Sequence, residues 1–319
     1  MIKIRVPATT ANLGPGFDCL GLALKLYLNL EIEETEEGLV IEYQGEGAEK
    51  FSAKKKEDTL IWKSINLVLK RAYNDIHKKG LKIRMLNEIP VTRGLGSSAS
   101  AIMGGIMGAA KLYNIDLTNQ EMLELALSLE GHMDNIVPAL IGGLTLAYKT
   151  GQEEIRWTRI KTPPDLRIVL AIPEFALNTK EMRKVLPQKV ALPEAIFNLS
   201  RSALLVSALQ NSDWEVLAEA MEDRLHQPYR TPFIPGIEDM FLKIKETGLA
   251  GVALSGSGPS VVSLTKVGSE EVISKIMRDA FLSAGVNCRI LVLEADLDGT
   301  KFVSREENKS QNPGARSPM

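Results

Sequence analysis

The stretch Pro90-Val91-Thr92-Arg93-Gly94-Leu95-Gly96-Ser97-Ser98-Ala99 sets two glycines and two hydroxyls at the mouth of a helix. Small residues continue beyond it at Ser100, Ala101, Gly104, Gly105, Gly108, Ala109 and Ala110, so that helix is expected to lie close against another backbone. The composition predicts a phosphate cradle. The first N–H groups of a helix have no intrahelical acceptor, and the aligned peptide dipoles leave partial positive charge there. An anionic phosphate answers both needs. Gly94 and Gly96 are expected to clear side chains from the path of the phosphate oxygens and to allow backbone angles that other residues resist. Ser97 and Ser98 add hydroxyls that donate to phosphate or ligate a metal. No Lys precedes the serine pair, so this is not a Walker loop. Taken alone, the stretch also reads as a glycine-rich turn capped by serine.

The chain of 319 residues is long enough for two ordinary domains. With 45% hydrophobic and 24% charged residues and a net charge of −2, it has the profile of a soluble globular protein, with no basic field to attract nucleic acid. Apolar runs such as 99–110 and 137–147 are too short and too rich in glycine to span a membrane. Cys19 and Cys288 are the only cysteines and stand among apolar neighbours, which speaks against a disulfide scaffold or a cysteine zinc site. Ile2-Lys3-Ile4 reads as a strand and not as a secretory signal, so a cytoplasmic protein is expected.

Residues 2–6 predict a strand ending at Pro7, followed by the polar loop 7–18, which carries Asn12 and Asp18 as contact residues or as turn formers. Alternation over 22–32 predicts a second strand, with 40–43 as its hairpin partner across Glu36-Glu37-Gly38. A helix follows Asp58-Thr59, and a strand at 81–86 delivers the chain to the cradle. Thr118 and Glu121 have the spacing of a capping box for a helix ending at Glu130. Beyond it, Glu130-Gly131-His132-Met133-Asp134-Asn135 clusters two carboxylates, an imidazole and an amide, and 144–148 is a strand. Composition breaks at Thr162-Pro163-Pro164, which divides the chain into 1–162 and 163–300, with 301–319 as a flexible tail. The second half reads as a strand at 166–172, helices at 180–185, 193–210, 214–225 and 237–247, and strands on either side of Ser255-Gly256-Ser257-Gly258-Pro259-Ser260. A helix at 269–284 and a strand at 289–294 complete a split βαβ arrangement.

Three segments in order, 7–18, 90–99 and 251–260, resemble the signature loops of the GHMP small-molecule kinases. The runs 6–18, Glu130-Gly131-His132-Met133-Asp134-Asn135 and Leu225-His226-Gln227-Pro228-Tyr229-Arg230 are most similar to the members of that superfamily that phosphorylate L-homoserine. The resemblance covers nearly all of residues 1–296. It implies an α+β fold of two domains, an N-terminal nucleotide-binding half and a C-terminal ferredoxin-like half, with the active site in the cleft between them. It further implies ATP and Mg²⁺ as cofactors, L-homoserine as substrate and a place in threonine biosynthesis. By position, Pro90 to Ser100 match the ATP-binding segment, and Ser98 and Glu130 the metal ligands. Asn12, Asp18, His132, Asp134, Thr179, Arg183 and Arg230 match the substrate site, the two arginines taking the carboxylate. Catalytic roles fall to Asn12, Asp134 and Asn135; Asp134 is a candidate base, which Asn135 by its chemistry is not. Thr59 departs from the pattern, standing where many members carry Asn in the segment that meets the nucleotide base.

Two other readings are kept. Mevalonate, shikimate or a sugar lacks an α-ammonium and would leave the polar group around Asp18 and Asp134 poorly used. A non-catalytic sensor of the same fold has no need of a metal placed by Ser98 and Glu130. An edge strand in either half could pair with a second copy, so a homodimer stays open.

Overall fold

Period-two burial, with apolar side chains on the core face of each strand, builds two sheets in the computed structural model, which describes residues 1–73 and 80–303. The first half contains β1 (Ile2–Ala11), β2 (Leu20–Thr35), β3 (Leu39–Gly45), α1 (Ala48–Ser52), α2 (Leu60–Tyr73), β4 (Gly80–Asn87), α3 (Ser97–Leu112), α4 (Asn119–Glu130), α5 (Ile136–Ile141), β5 (Leu144–Lys149) and β6 (Ile155–Ile160). The second half contains β7 (Leu166–Pro173), α6 (Thr179–Lys184), α7 (Leu192–Asn211), α8 (Leu217–Ala220), α9 (Gln227–Arg230), α10 (Ile237–Thr247), β8 (Ala250–Leu254), β9 (Val261–Lys266), α11 (Glu270–Ser283), β10 (Cys288–Leu293) and β11 (Lys301–Phe302).

The first sheet has seven strands in the order β11-β1-β2-β4-β3, with β5 and β6 continuing from the far end of β2. The second has four antiparallel strands in the order β10-β7-β9-β8, which is the ferredoxin-like arrangement. Strand β7 is buried on both faces: Ile168, Leu170 and Ile172 join the core shared with the first half, and Val169 and Ala171 join the core under α10 and α11. The small residues of α3 serve the close approach expected of them. A Cβ at Gly104 would meet Leu30, one at Gly105 would meet Ser64 of α2, and one at Gly108 would meet Ile32.

Several local expectations are corrected. Strand β1 does not stop at Pro7; a register shift between Pro7 and Ala8 absorbs the missing donor, and the strand runs on to Ala11. Strand β3 is no hairpin partner of β2; it pairs in parallel with β4, and α2 carries the crossover. Strand β6, where charged and apolar residues are mixed, is an additional strand. Helix is confined to Leu217–Ala220 within the stretch 214–225. The chain stays in the fold past residue 300: Lys301 and Phe302 pair with Arg5 and Ile4, and Val303 N–H donates to Lys3 O. The remainder of the expected tail lies outside the described residues. Cys19 is exposed, contrary to its apolar neighbours in sequence, because it sits at the end of the loop before β2.

Candidate active site

A cleft of about 290 Å³ opens along the N-terminus of α3 and is lined by every residue from Pro90 to Ser98. The reason for the glycines differs from the one expected. Gly94 and Gly96 have φ of 73° and 67°. A Cβ on Gly94 would lie 2.0 Å from Ser255 O, and one on Gly96 would lie 1.9 Å from Thr9 Oγ1. The glycines therefore let the loop press against β1 and the second glycine loop. Ser255 Oγ fixes that contact, donating to Gly94 O (2.6 Å) and accepting from the Thr10 hydroxyl (2.9 Å). Gly96→Ala is expected to cost about 3 kcal/mol of stability, from left-handed strain plus overpacking. Urea denaturation measures this, and a variant as stable as the parent would refute it.

Helix α3 starts with Gly96 as its N-cap, no side chain caps it, and its first turn carries no acidic residue. Its N-terminal amides remain available to an anion. Ser98 Oγ instead donates to Glu130 Oε2 at 2.5 Å. Ala99 and Ser100, expected in the cradle, turn inward with the helix. Ala99 is fully buried, and Ser100 Oγ bonds to Pro7 O and Gly96 O. Arg93 spans to the second sheet through Pro173 O (2.9 Å) and Glu174 O. Burial lowers its pKa, with Glu46 opposing.

One part of the cleft is walled by Tyr43, Phe51, Leu60, Ile61, Met85 and Val91, with Lys50 and Lys54. Tyr43 and Phe51 have their ring centroids 5.6 Å apart, and the Tyr43 hydroxyl lies beside Thr59. Thr59 lines this part but directs its hydroxyl to Lys56 O (2.6 Å). An apolar slot of this kind suits a flat heterocycle. Sequence reasoning passed over Tyr43 and Phe51, because each reads as an ordinary core aromatic.

At the other side stand Glu130, His132, Asp134 and Asn135, carried by the C-terminus of α4 and the turn into α5. The capping box is in place at the start of α4: Thr118 accepts from Glu121 N–H, and Glu121 caps back. His132 Nδ1–H donates to Asp134 Oδ1 (2.8 Å), and its Nε2 lies 3.7 Å from Glu130 Oε1. Burial alone would disfavour the imidazolium, but the hydrogen bond and charge of Asp134, with Glu130, raise its pKa. Burial pushes Glu130 up, against the Ser98 hydrogen bond and the His132 charge. Asn135 accepts from Thr9 Oγ1 (2.7 Å) and donates to Asp134 Oδ1 (3.3 Å). Both of these bonds to Asp134 fall on Oδ1.

Asn12 also lines the cleft, yet its amide is engaged at both ends. Nδ2 donates to Gly256 O (2.8 Å), and Oδ1 accepts from Asp18 N–H (3.0 Å). It ties two loops together. Asp18 stands behind the wall and grips Arg183 with both oxygens, at 2.7 and 3.0 Å. Arg183, Arg230, Thr179 and Ser257 line that end. Thr179 and Ser257 share a hydrogen bond of 3.1 Å. Arg230, only 1% exposed, donates from Nε to Met182 O and from Nη1 to Gly256 O and His226 Nδ1. Burial, with the Arg183 charge adding to it, draws its pKa down to about 10 against Asp18 and Asp223.

Because His226 Nδ1 accepts from Arg230, the proton sits on Nε2, which donates to Gly14 O (2.8 Å). Burial depresses the His226 pKa, with Asp223 opposing and Arg230 adding. The unfolded chain thus takes up this proton first. The His226 contribution to stability is whole above the ordinary histidine value of about 6.5 and is lost as pH falls below it. Between pH 7.5 and 5.5 the parent is expected to lose more thermal stability than His226→Gln. Equal losses in melting experiments would contradict this.

Fold and cleft define the class of protein. The family model of the GHMP kinase N-terminal domain matches residues 59–143, and that of the C-terminal domain matches 205–281. Homoserine kinase from Moorella thermoacetica is 43% identical over 295 residues, covering 91% of this chain and 96% of its own. That from Natranaerobius thermophilus is 37% identical over 307 residues, covering 95% and 98%. The crystal structure of homoserine kinase from Cytophaga hutchinsonii matches with a TM-score of 0.84 at 26% identity, over 95% of this chain and 97% of that one. The chain belongs to the homoserine kinase family of the GHMP kinases. Among the described residues no helix is long and apolar enough to cross a membrane.

Proposed function

We propose that this chain transfers the γ-phosphoryl group of ATP to the side-chain hydroxyl of L-homoserine, giving O-phospho-L-homoserine for threonine biosynthesis in the cytoplasm. The observation that carries the reading is the distribution of charge along one cleft. An uncapped helix N-terminus and the Ser98–Glu130 pair share this cleft with Arg183, held by Asp18, and with Arg230, and Glu130 and Arg183 are near enough for their charges to interact. A zwitterionic amino acid can replace each half of the Asp18–Arg183 pair. Its α-carboxylate competes for the Arg183 fork, and its α-ammonium takes the released Asp18. We take residues 1–162 and 163–300 as the two units that enclose it.

Ser98 and Glu130 offer hard oxygen donors, and a carboxylate that burial penalises gains from a cation; one or two such protein ligands suit Mg²⁺. When bound, the ion neutralises charge on the transferred phosphoryl group. The chain's own residues do the positioning. The α3 amides and residues 90–98 cradle phosphate, and Tyr43 and Phe51 wall the base. Asp134, steered by His132 and Asn135, stands ready to accept the hydroxyl proton, while Asn12 and Thr9 keep the loops in register. Phosphoryl transfer asks mainly for such positioning and charge neutralisation.

ADP release measured with L-homoserine, mevalonate and shikimate as acceptors, beside thermal-shift titration of each, tests the reading. Turnover with L-homoserine above the other two is expected. Turnover confined to another acceptor would overturn the assignment, and homoserine binding without ADP release would make the chain a sensor.

A further inference from the structure

We propose that Phe17 is a positioning residue whose ring holds the guanidinium groups of Arg183 and Arg230 together, and so selects acceptors that carry a free α-carboxylate. The inference rests on the amino-acid kinase reading above for the identity of that end of the cleft. Phe17 lies in the loop between β1 and β2. Its ring centroid is 5.3 Å from Arg230 Cζ and 5.8 Å from Arg183 Cζ. The ring also stacks on His226, with centroids 5.1 Å apart and planes inclined by 25°.

Two guanidinium groups gathered on one ring repel each other, and something must offset that. Asp18 gives both of its oxygens to Arg183. The hydrogen-bond partners of Arg230, namely Met182 O, Gly256 O and His226 Nδ1, are all uncharged. The charges of Asp18 and Asp134 act on both arginines, and the surface against which both guanidiniums lie is the Phe17 ring, whose π face is negatively polarised. It is also a fixed surface. His226 holds Gly14 O, while Ser202 Oγ (2.7 Å) and Asn198 Nδ2 (3.5 Å) hold Pro15 O, so the loop is pinned just ahead of the ring. Once a substrate carboxylate draws Arg183 away from Asp18, the ring is what keeps the two forks at a common site. An acceptor without a carboxylate gains nothing from that pairing.

Phe17→Leu keeps an apolar side chain and removes the π face. Steady-state kinetics are expected to show the KM for L-homoserine raised about tenfold, with kcat and the KM for ATP nearly unchanged. The preference for L-homoserine over its carboxamide should narrow by a similar factor, and Phe17→Tyr should restore both. In the Arg183→Met background the Phe17→Leu effect should shrink, since one of its two partners is gone. Phe17→Met serves as a second π-free variant if the leucine protein does not fold. An unchanged KM and carboxamide preference in either folded variant would overturn the proposal, as would a fall in kcat with KM unaltered. If the parent does not phosphorylate L-homoserine at all, the functional reading fails and this proposal falls with it. A working parent with an indifferent variant removes this proposal alone.

Discussion

Glu130→Gln lowers kcat for ADP release by about a thousandfold, roughly 4 kcal/mol of transition-state stabilisation, in the result we expect. The substitution is nearly isosteric, and its amide oxygen can still accept the Ser98 hydroxyl that Glu130 Oε2 accepts at 2.5 Å. What it removes is the negative charge. That charge is costly in the free protein, because burial pushes the Glu130 pKa up. The variant is therefore expected to melt no lower than the parent. On the proposed reading the same charge would attract a divalent cation beside the α3 amides. Residual activity should require much more Mg²⁺, and homoserine binding, which we assign to Arg183 and Arg230, should change little. A kcat within tenfold of the parent would remove Glu130 from the metal site.

Arg183→Met should raise the KM for L-homoserine about a hundredfold, a loss at the lower part of the range for truncating one partner of a charged, hydrogen-bonded contact. The lower part is chosen because Arg183 and Asp18 are each 36% exposed at the side chain, and solvent screens them. For the same reason folding stability should shift by less than about 1 kcal/mol. The asymmetry is the diagnostic: a weak ion pair in the free protein becomes a strong contact when an anionic ligand meets two guanidiniums at once. Arg183→Lys should recover only part of the loss, since an ammonium cannot present the bidentate fork. The KM for ATP should not move, because the cradle is built on α3. An unaltered homoserine KM in a folded Arg183→Met protein would sink the carboxylate assignment.

Local signals were legible wherever the physics is local. The loop at 90–98, the capping box of Thr118 and Glu121, and helix α10 follow from turn chemistry, caps and periodicity within a dozen residues. The Glu36-Glu37-Gly38 turn misled for the same reason. It marks a reversal, but the partner of β3 is chosen by the crossover through α2, which puts β4 between β3 and β2. Strand β6 escaped notice because its register against β5, and not its own alternation, makes it a strand. Ser100 looked like the continuation of a phosphate loop, and helical rotation turns it to Pro7 O.

By itself the sequence determined the class of chemistry. Residue type and spacing specify a helix mouth free of acidic side chains, and the resemblance to the GHMP kinases implies a serine and a glutamate for a cation and two arginines for a carboxylate. What those groups do to one another was decided only by the tertiary structure, because it depends on contacts between residues far apart in the chain. Gly96 is required by Thr9, Asn12 is spent on Gly256, and Asp18 is paired with Arg183. The loop at 90–98 is thus shaped by the second glycine loop and the first strand pressed against its back.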